Sequence, residues 1–307
     1  MNPQLHVITG PTASGKTDLC LCLAEELDAE ILSCDSMQMY IGMDIGTAKP
    51  SKDQLSTVPH HGIDLFPVSH AASIHDYIRI AGMLVDDILG RNKNVLVTGG
   101  SGFYLKSFFV PVCDNVVVPV EVREEIDNML EEDGLDVLVG RLLELNPGGV
   151  GNLDLQNPRR VARALERCLV SGKTVKRLRQ EMESLPEPFA GMGKKVCVLD
   201  RDDGNLKERI RARTQMMLET GLMEETRTLL DCGLANNPVA NTAIGYREMI
   251  AFLGGELASC EEVEEAINRN TWQLVRRQRK WFRSQFPGTL TVNLDLNPQP
   301  AVNDLFG

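Results

Sequence analysis

Over the first hundred residues, short apolar runs alternate with segments whose apolar positions recur every three or four residues. The runs at 5–9, 30–34 and 95–98 predict strands, and the segments at 17–27 and 74–89 predict helices. A polar, irregular stretch separates 35 from about 70. Strands alternating with helices predict an α/β fold with a parallel sheet covered by helices on both faces. The pattern changes near 113. From 122 to about 183 only helical spacing is present, at 122–130, 136–145, 158–171 and 175–183. Asn146-Pro147-Gly148-Gly149 and Leu185-Pro186-Glu187-Pro188 punctuate this block. A run at 195–199 returns to the sheet. Helices are predicted at 206–220, 222–232, 245–253 and 261–284, and a last strand at 289–293. The division predicted is a core of 1–112 and 190–307 around an all-helical insertion of 113–189.

In open α/β sheets, ligands sit at the carboxyl ends of the strands. Three such ends carry chemistry here. The first run leads into Gly10-Pro11-Thr12-Ala13-Ser14-Gly15-Lys16-Thr17, which fits the phosphate-loop pattern of P-loop NTPases in its strand–loop–helix setting. Gly10 and Gly15 let backbone N–H groups face an anion, and the following helix adds its positive end. Lys16 supplies a point charge for a terminal phosphate, and the Thr17 hydroxyl can hold Mg²⁺. The pattern is shared by nucleotide-binding proteins and leaves the phosphate ligand open. The second run ends on Asp35, which can hold Mg²⁺ through water, accept a proton from a nucleophile, or cap a helix. The third leads into Gly99-Gly100-Ser101-Gly102. Arg209 and Arg213 share a helix face and can reach a phosphate or form ion pairs.

The chain has 307 residues, 43% of them hydrophobic, and no apolar run near the ~20 needed to cross a bilayer. No apolar signal segment precedes the phosphate loop, so a cytoplasmic protein is expected, with its eight cysteines reduced and buried. His60-His61 lacks metal-site spacing, and Asn92-Lys93-Asn94-Val95 lacks the final Asp of a guanine-binding sequence. The net charge of −11 argues against a nucleic-acid partner until its distribution is considered. Residues 121–136 hold eight acids and one base, 159–179 eight bases and one acid, and 269–283 six bases and no acid. Such clusters can make a basic face or two solvated helix faces. In the last cluster, Trp272, Trp281 and Phe282 interleave with the bases, as stacking platforms or as core.

Taken together, the motifs resemble the bacterial type of the tRNA dimethylallyltransferase (tRNA isopentenyltransferase) family. The resemblance runs collinearly through GPTASGKT at 10–17, DSMQMY at 35–40, GMDIGTAKP at 42–50, HHGID at 60–64 and GGSGFYL at 99–105. It continues through NPRRVARALE at 157–166, SGKT at 171–174, GYRE at 245–248 and RQRKWFR at 277–283. Ser101 stands where the family usually has Thr, and Asn241-Thr242-Ala243-Ile244 is not the commonest choice before Gly245.

The resemblance implies transfer of a dimethylallyl group from dimethylallyl diphosphate to N6 of the adenosine 3′ of the anticodon. It implies Asp35 as the base, with Thr12 and Arg213 acting on the bridging oxygen and leaving diphosphate. The loop, with Lys16 and Thr17, would hold the diphosphate and Mg²⁺. It further implies tRNA contacts at Asp35, Ser36, Met37, Gln38, Ser101, Arg123, Arg159, Arg160, Val161, Ala162 and Arg163. A last set of contacts falls at Thr242, Ala243, Ile244, Gly245, Tyr246 and Arg247. The expected partner is a tRNA anticodon stem-loop and the expected state a monomer. A small-molecule kinase, an adenylate isopentenyltransferase and a pure RNA-binding module share parts of the pattern. The basic insertion and the motifs at 245–248 and 277–283 favour tRNA over adenylate. Lys16 and Asp35 together at strand ends favour an enzyme over a binding module.

Overall fold

Unbroken apolar runs make strands that are buried on both faces, and the sheet is built from them. The computed structural model describes residues 3–307. Its strands are β1 (Gln4–Thr9), β2 (Ala29–Ser33), β3 (His60–His61), β4 (Asn94–Gly99), β5 (Gly193–Asp200) and β6 (Leu290–Asn293). They form one parallel sheet in the order β3-β2-β4-β1-β5-β6. β1 therefore lies between β4 and β5, with the phosphate loop at its carboxyl end.

Helix α1 (Lys16–Glu26) connects β1 to β2. After α2 (Lys52–Thr57), α3 (Ile74–Gly90) leads from β3 to β4. The path from β1 to β2 crosses the sheet in one direction and the path to β4 returns, so right-handed crossovers place α1 and α3 on opposite faces. Leu19 and Leu23 of α1 pack with Ile8, Ile31, Leu96 and Leu199. Leu5, Val7, Leu32, Val95 and Val97, one position out of phase with that cluster, are equally buried. Next come α4 (Gly102–Lys106), then α5 (Val120–Glu132), α6 (Leu135–Glu144), α7 (Pro158–Ser171) and α8 (Val175–Glu183). After β5 follow α9 (Asp203–Glu219), α10 (Leu222–Asp231), α11 (Tyr246–Leu253) and α12 (Cys260–Gln285), and β6 leads to α13 (Val302–Phe306).

Besides two 3-10 turns at Leu234–Asn236 and Ala240–Thr242, three α-helices and one strand exceed the expectation from the sequence, and all are short. Helix α2 sits in the stretch read as loop, held by a reciprocal capping box in which Ser51 and Gln54 bond each other's backbone N–H. β3 is two residues long and exists only through its pairing with Ile31 and Leu32. α4 and α13 have five residues each, too few to show periodicity. The cysteines depart from expectation as well. Cys20, Cys34, Cys168 and Cys197 are buried, but Cys22, Cys232 and Cys260 are exposed because they fall on outward positions of α1, on the cap of α10 and on the first turn of α12. All eight are free thiols.

The chain forms two compact units. One runs to Phe108 and resumes as Phe189–Gly307, and the other is Phe109–Pro188. The second is helical and has its own core of Ile126, Leu138, Leu142, Val161, Leu165 and Leu178. Asn157 caps α7 by accepting from Arg160 N, with Pro158 at the first helical position and Gly172 closing the helix at φ 66°. Among the described residues no helix is long and apolar enough to cross a membrane.

The end of β4 is unusually close to the end of β2. A Cβ on Gly99 would lie 2.1 Å from Cys34 O, whereas a Cβ on Gly82, within α3, would meet nothing within 4 Å. Gly99→Ala should therefore destabilise the protein by about 1–3 kcal/mol. Gly82→Ala should be neutral or stabilising by up to about 1 kcal/mol. Urea denaturation of both variants checks the pair, and equal midpoints would refute the close approach.

Candidate active site

The phosphate loop takes its shape from steric exclusion. At φ 152°, Gly10 passes so near β5 that a Cβ would lie 2.2 Å from Leu199 O. Ala13 and Gly15 hold left-handed angles of 65° and 98°, and Gly15 precedes the first turn of α1. Two arginines hold the loop from outside. Arg209 Nε donates to Ala13 O at 2.8 Å and Arg201 Nε to Ser14 O at 2.9 Å. Arg201 is itself fixed by Asp295 at 2.6 Å. Thr12 N is taken by Gln278 and Ser14 N by Pro11 O, so the remaining loop N–H groups form the anion-seeking surface. Lys16 Nζ donates to Gly10 O at 3.0 Å and Pro11 O at 2.8 Å. Ser14 Oγ is buried and has no hydrogen-bond partner among the described residues.

Thr12, Asp35 and Arg213 line one cavity of about 670 Å³. They come from the loop after β1, the end of β2 and α9. Asp35 Oδ1 accepts from Met37 N at 2.9 Å, closing a local turn. Arg209 takes neither expected role and holds a loop carbonyl, while Arg213, one turn on, faces the cavity. Burial pushes the Lys16 ammonium down to about 8, with Arg213 reinforcing and Asp35 opposing the shift. Burial likewise lowers Arg213, with Arg209 reinforcing and Asp35 opposing. Two enclosed cations against one carboxylate leave the site in need of an anion.

Ser36, Met37, Ser101, Thr242, Ala243, Ile244 and Arg247 line the same cavity. Ser101 Oγ accepts from Ser36 N at 3.0 Å. Gln38 points into the protein instead, accepting from Ser33 Oγ at 2.9 Å. Tyr246 is fully buried, and its hydroxyl donates to Glu225 Oε1 at 2.6 Å. Gly245, at φ 99°, begins α11 and donates its N–H to the buried Glu248 at 2.7 Å. Glu225 also accepts from the N–H groups of Asp44, Ile45 and Gly46, which pins the 42–50 loop. His60 and His61 have structural partners, Val58 O at 2.7 Å and Glu30 at 2.6 Å.

Within the helical unit, Arg123 and Arg163 converge on the buried Glu166, whose carboxyl is raised by its burial. Arg159 and Arg160 are exposed on α7, while Val161 and Ala162 face inward as core. In the last basic cluster, Val275 and Phe282 are core, and Leu274, Gln278 and Trp281 line the cavity. Bases and aromatics mark this segment in the sequence, whereas Gln278 is a neutral residue with no signature of its own.

The Lys16 shift has a consequence for pH. Its folded value lies below its unfolded one, so the unfolded chain binds more protons between them, and stability rises from about pH 8 to the ordinary lysine range. An anion in the loop favours the charged ammonium. Affinity for inorganic diphosphate should therefore weaken as pH rises above about 8, and Lys16→Met should remove that step. Calorimetric titrations across this range check it, and the same pH step in both proteins would refute it.

Residues 38–285 match the family described as IPP transferase. The chain is 48% identical to a tRNA dimethylallyltransferase of Opitutus terrae over 93% of this chain and 91% of that one. It is 40% identical to the enzyme of the same description from Salinispora tropica, over 90% and 84%. A crystal structure of a tRNA isopentenylpyrophosphate transferase from Bacillus halodurans superposes with a TM-score of 0.66 at 30% identity, covering 95% and 90%. A eukaryotic dimethylallyltransferase acting on tRNA gives 0.79 at 25% identity, covering 96% and 75%. The phosphate loop, the buried cations beside Asp35 and these likenesses agree: the chain belongs to the IPP transferase family.

Proposed function

We propose that this protein is a tRNA dimethylallyltransferase, moving a dimethylallyl group from dimethylallyl diphosphate to N6 of the adenosine 3′ of the anticodon. One observation carries the reading: Thr12, Asp35 and Arg213 meet in a single cavity beside a phosphate loop. A kinase needs groups that deliver a terminal phosphoryl group. This cavity instead combines the carboxylate with apolar walls that include Met217, Ile267 and Leu274, which suit a hydrocarbon group.

The exocyclic amine of adenine is a poor nucleophile because its lone pair is shared with the ring. As N6 bonds to the allylic carbon, Asp35 takes the N–H proton. The C–O bond breaks, and its electron pair stays on diphosphate. The Thr12 hydroxyl donates to the bridging oxygen and Arg213 offsets the growing charge. Lys16 and the loop amides hold the terminal phosphate. The apolar wall seats the five-carbon chain and keeps water from the allylic centre. The adenine leaves its stack to enter the cavity, passing Ser36, Ser101 and Arg247.

The donor set suits Mg²⁺, which is generally held by one or two protein groups together with phosphate oxygens. Thr17 would hold it, with the orphaned Ser14 hydroxyl in the same loop. Bound there, it would neutralise diphosphate charge. Arg123, Arg159, Arg160 and Arg163 would contact the phosphates of the anticodon stem.

Unmodified tRNA, labelled dimethylallyl diphosphate and Mg²⁺ should yield labelled tRNA, with ATP giving no phosphoryl transfer. ATP-dependent labelling of a small acceptor without prenyl transfer would overturn the reading. Asp35→Asn should lower turnover by about 10²–10⁴, with tRNA affinity held within a few fold. Near-normal turnover would reduce Asp35 to a turn residue.

Because the net charge is −11, tRNA affinity must come from local clusters and fall steeply with salt. Replacing Arg159, Arg160 and Arg163 by Gln should weaken stem-loop binding and flatten its salt slope by up to about three contacts. An unchanged slope would remove these arginines from the interface.

A further inference from the structure

Gln278 bridges two glycine-bearing loops that carry the proposed chemistry. Its Oε1 accepts from Thr12 N at 2.8 Å, and its Nε2 donates to Gly100 O at 2.9 Å. The Thr12 amide is thus committed to the protein, unlike a loop N–H left to bind phosphate. Both glycines after β4 are shaped around α12. A Cβ on Gly100 would lie 2.5 Å from Gln278 Nε2, and one on Gly102 2.5 Å from the Trp281 ring. Beyond Gly100, Ser101 Oγ accepts from Ser36 N at 3.0 Å and donates to Ser36 Oγ at 3.2 Å. Ser36 directly follows Asp35. A continuous path therefore joins Thr12 to Asp35 through Gln278, Gly100, Ser101 and Ser36.

We propose that Gln278 is a positioning residue: it sets the separation between the leaving-group contact at Thr12 and the base at Asp35. The inference rests on the reaction proposed above. Displacement at an allylic carbon requires nucleophile, carbon and leaving oxygen to be aligned, and a misplacement of 1 Å can lower a rate by about 10²-fold. A side-chain amide suits this place because it both accepts and donates without charge. Glutamate would turn an acceptor on Gly100 O, and lysine could not accept from Thr12.

The helix is fixed independently of this residue. Arg279 grips both carboxylate oxygens of Asp200 at 2.9 and 3.0 Å, and Val275 and Phe282 are buried. Gln278→Met, equal in length and lacking both polar groups, should therefore fold.

Two measurements test the role. In single turnover with saturating tRNA and dimethylallyl diphosphate, Gln278→Met should slow prenyl transfer by about 10–100-fold. Affinities for both substrates should stay within about threefold, and Tm should be close to that of wild type. Without any substrate, the Thr12 amide, followed by NMR in protein ¹⁵N-labelled at threonine, should exchange with solvent at least about tenfold faster in the variant. A single-turnover rate within twofold of wild type overturns the proposal. So does a rate loss matched by an equal loss of diphosphate affinity, or an unchanged Thr12 exchange rate. Wild-type protein that labels no tRNA would instead sink the reaction, and the exchange measurement would still decide whether Gln278 fixes Thr12.

Discussion

The site depends on how closely the carboxyl ends of β5, β1, β4 and β2 approach one another. Gly10 passes against Leu199 O and Gly99 against Cys34 O, each leaving less room than a methyl group requires. Side chains at either position would spread the strand ends and separate Thr12, Asp35 and Ser101, which belong to three different strand–loop junctions. Parallel pairing supplies the common direction, and glycine supplies the proximity. The arginines then act on a frame that is already narrow: Arg201 and Arg209 turn the loop carbonyls outward, and Arg213 faces the cavity.

This narrowness sets the electrostatics. Lys16 and Arg213 are both shifted toward their neutral forms by burial, and Asp35 only partly compensates. Lys16 donates to the carbonyls of Gly10 and Pro11. A polyanion would satisfy the loop amides and both cations together. In the proposed reaction these buried cations would lie where negative charge develops on a departing diphosphate, the arrangement that electrostatic stabilisation requires.

Much of this could be read from the sequence, for reasons that differ by residue. The apolar runs that became β1, β2, β4 and β5 were long enough to stand out, and so were helices such as α3, α7 and α12. β3 has no sequence signal because its two histidines become strand only through Ile31 and Leu32. The phosphate loop carries its own geometry, so 10–17 pointed to an anion unaided. Asp35 did not: its place at a strand end left base, metal partner and cap open, and only the family resemblance chose among them. Gln278 was illegible because its two partners lie 266 and 178 residues away. Val161 and Ala162 sit in a motif implied to touch RNA, yet burial makes them packing residues beneath the exposed Arg159 and Arg160.

Arg201 and Arg209 hold the carbonyls of Ser14 and Ala13, so the protein's own bonds shape the phosphate loop. A preformed cradle loses little ordering entropy at the moment of capture. In the proposed reaction the loop would grip the diphosphate end, which donor and product share, so rigidity that speeds loading would also delay unloading. Released diphosphate would then compete with the next donor for the same loop.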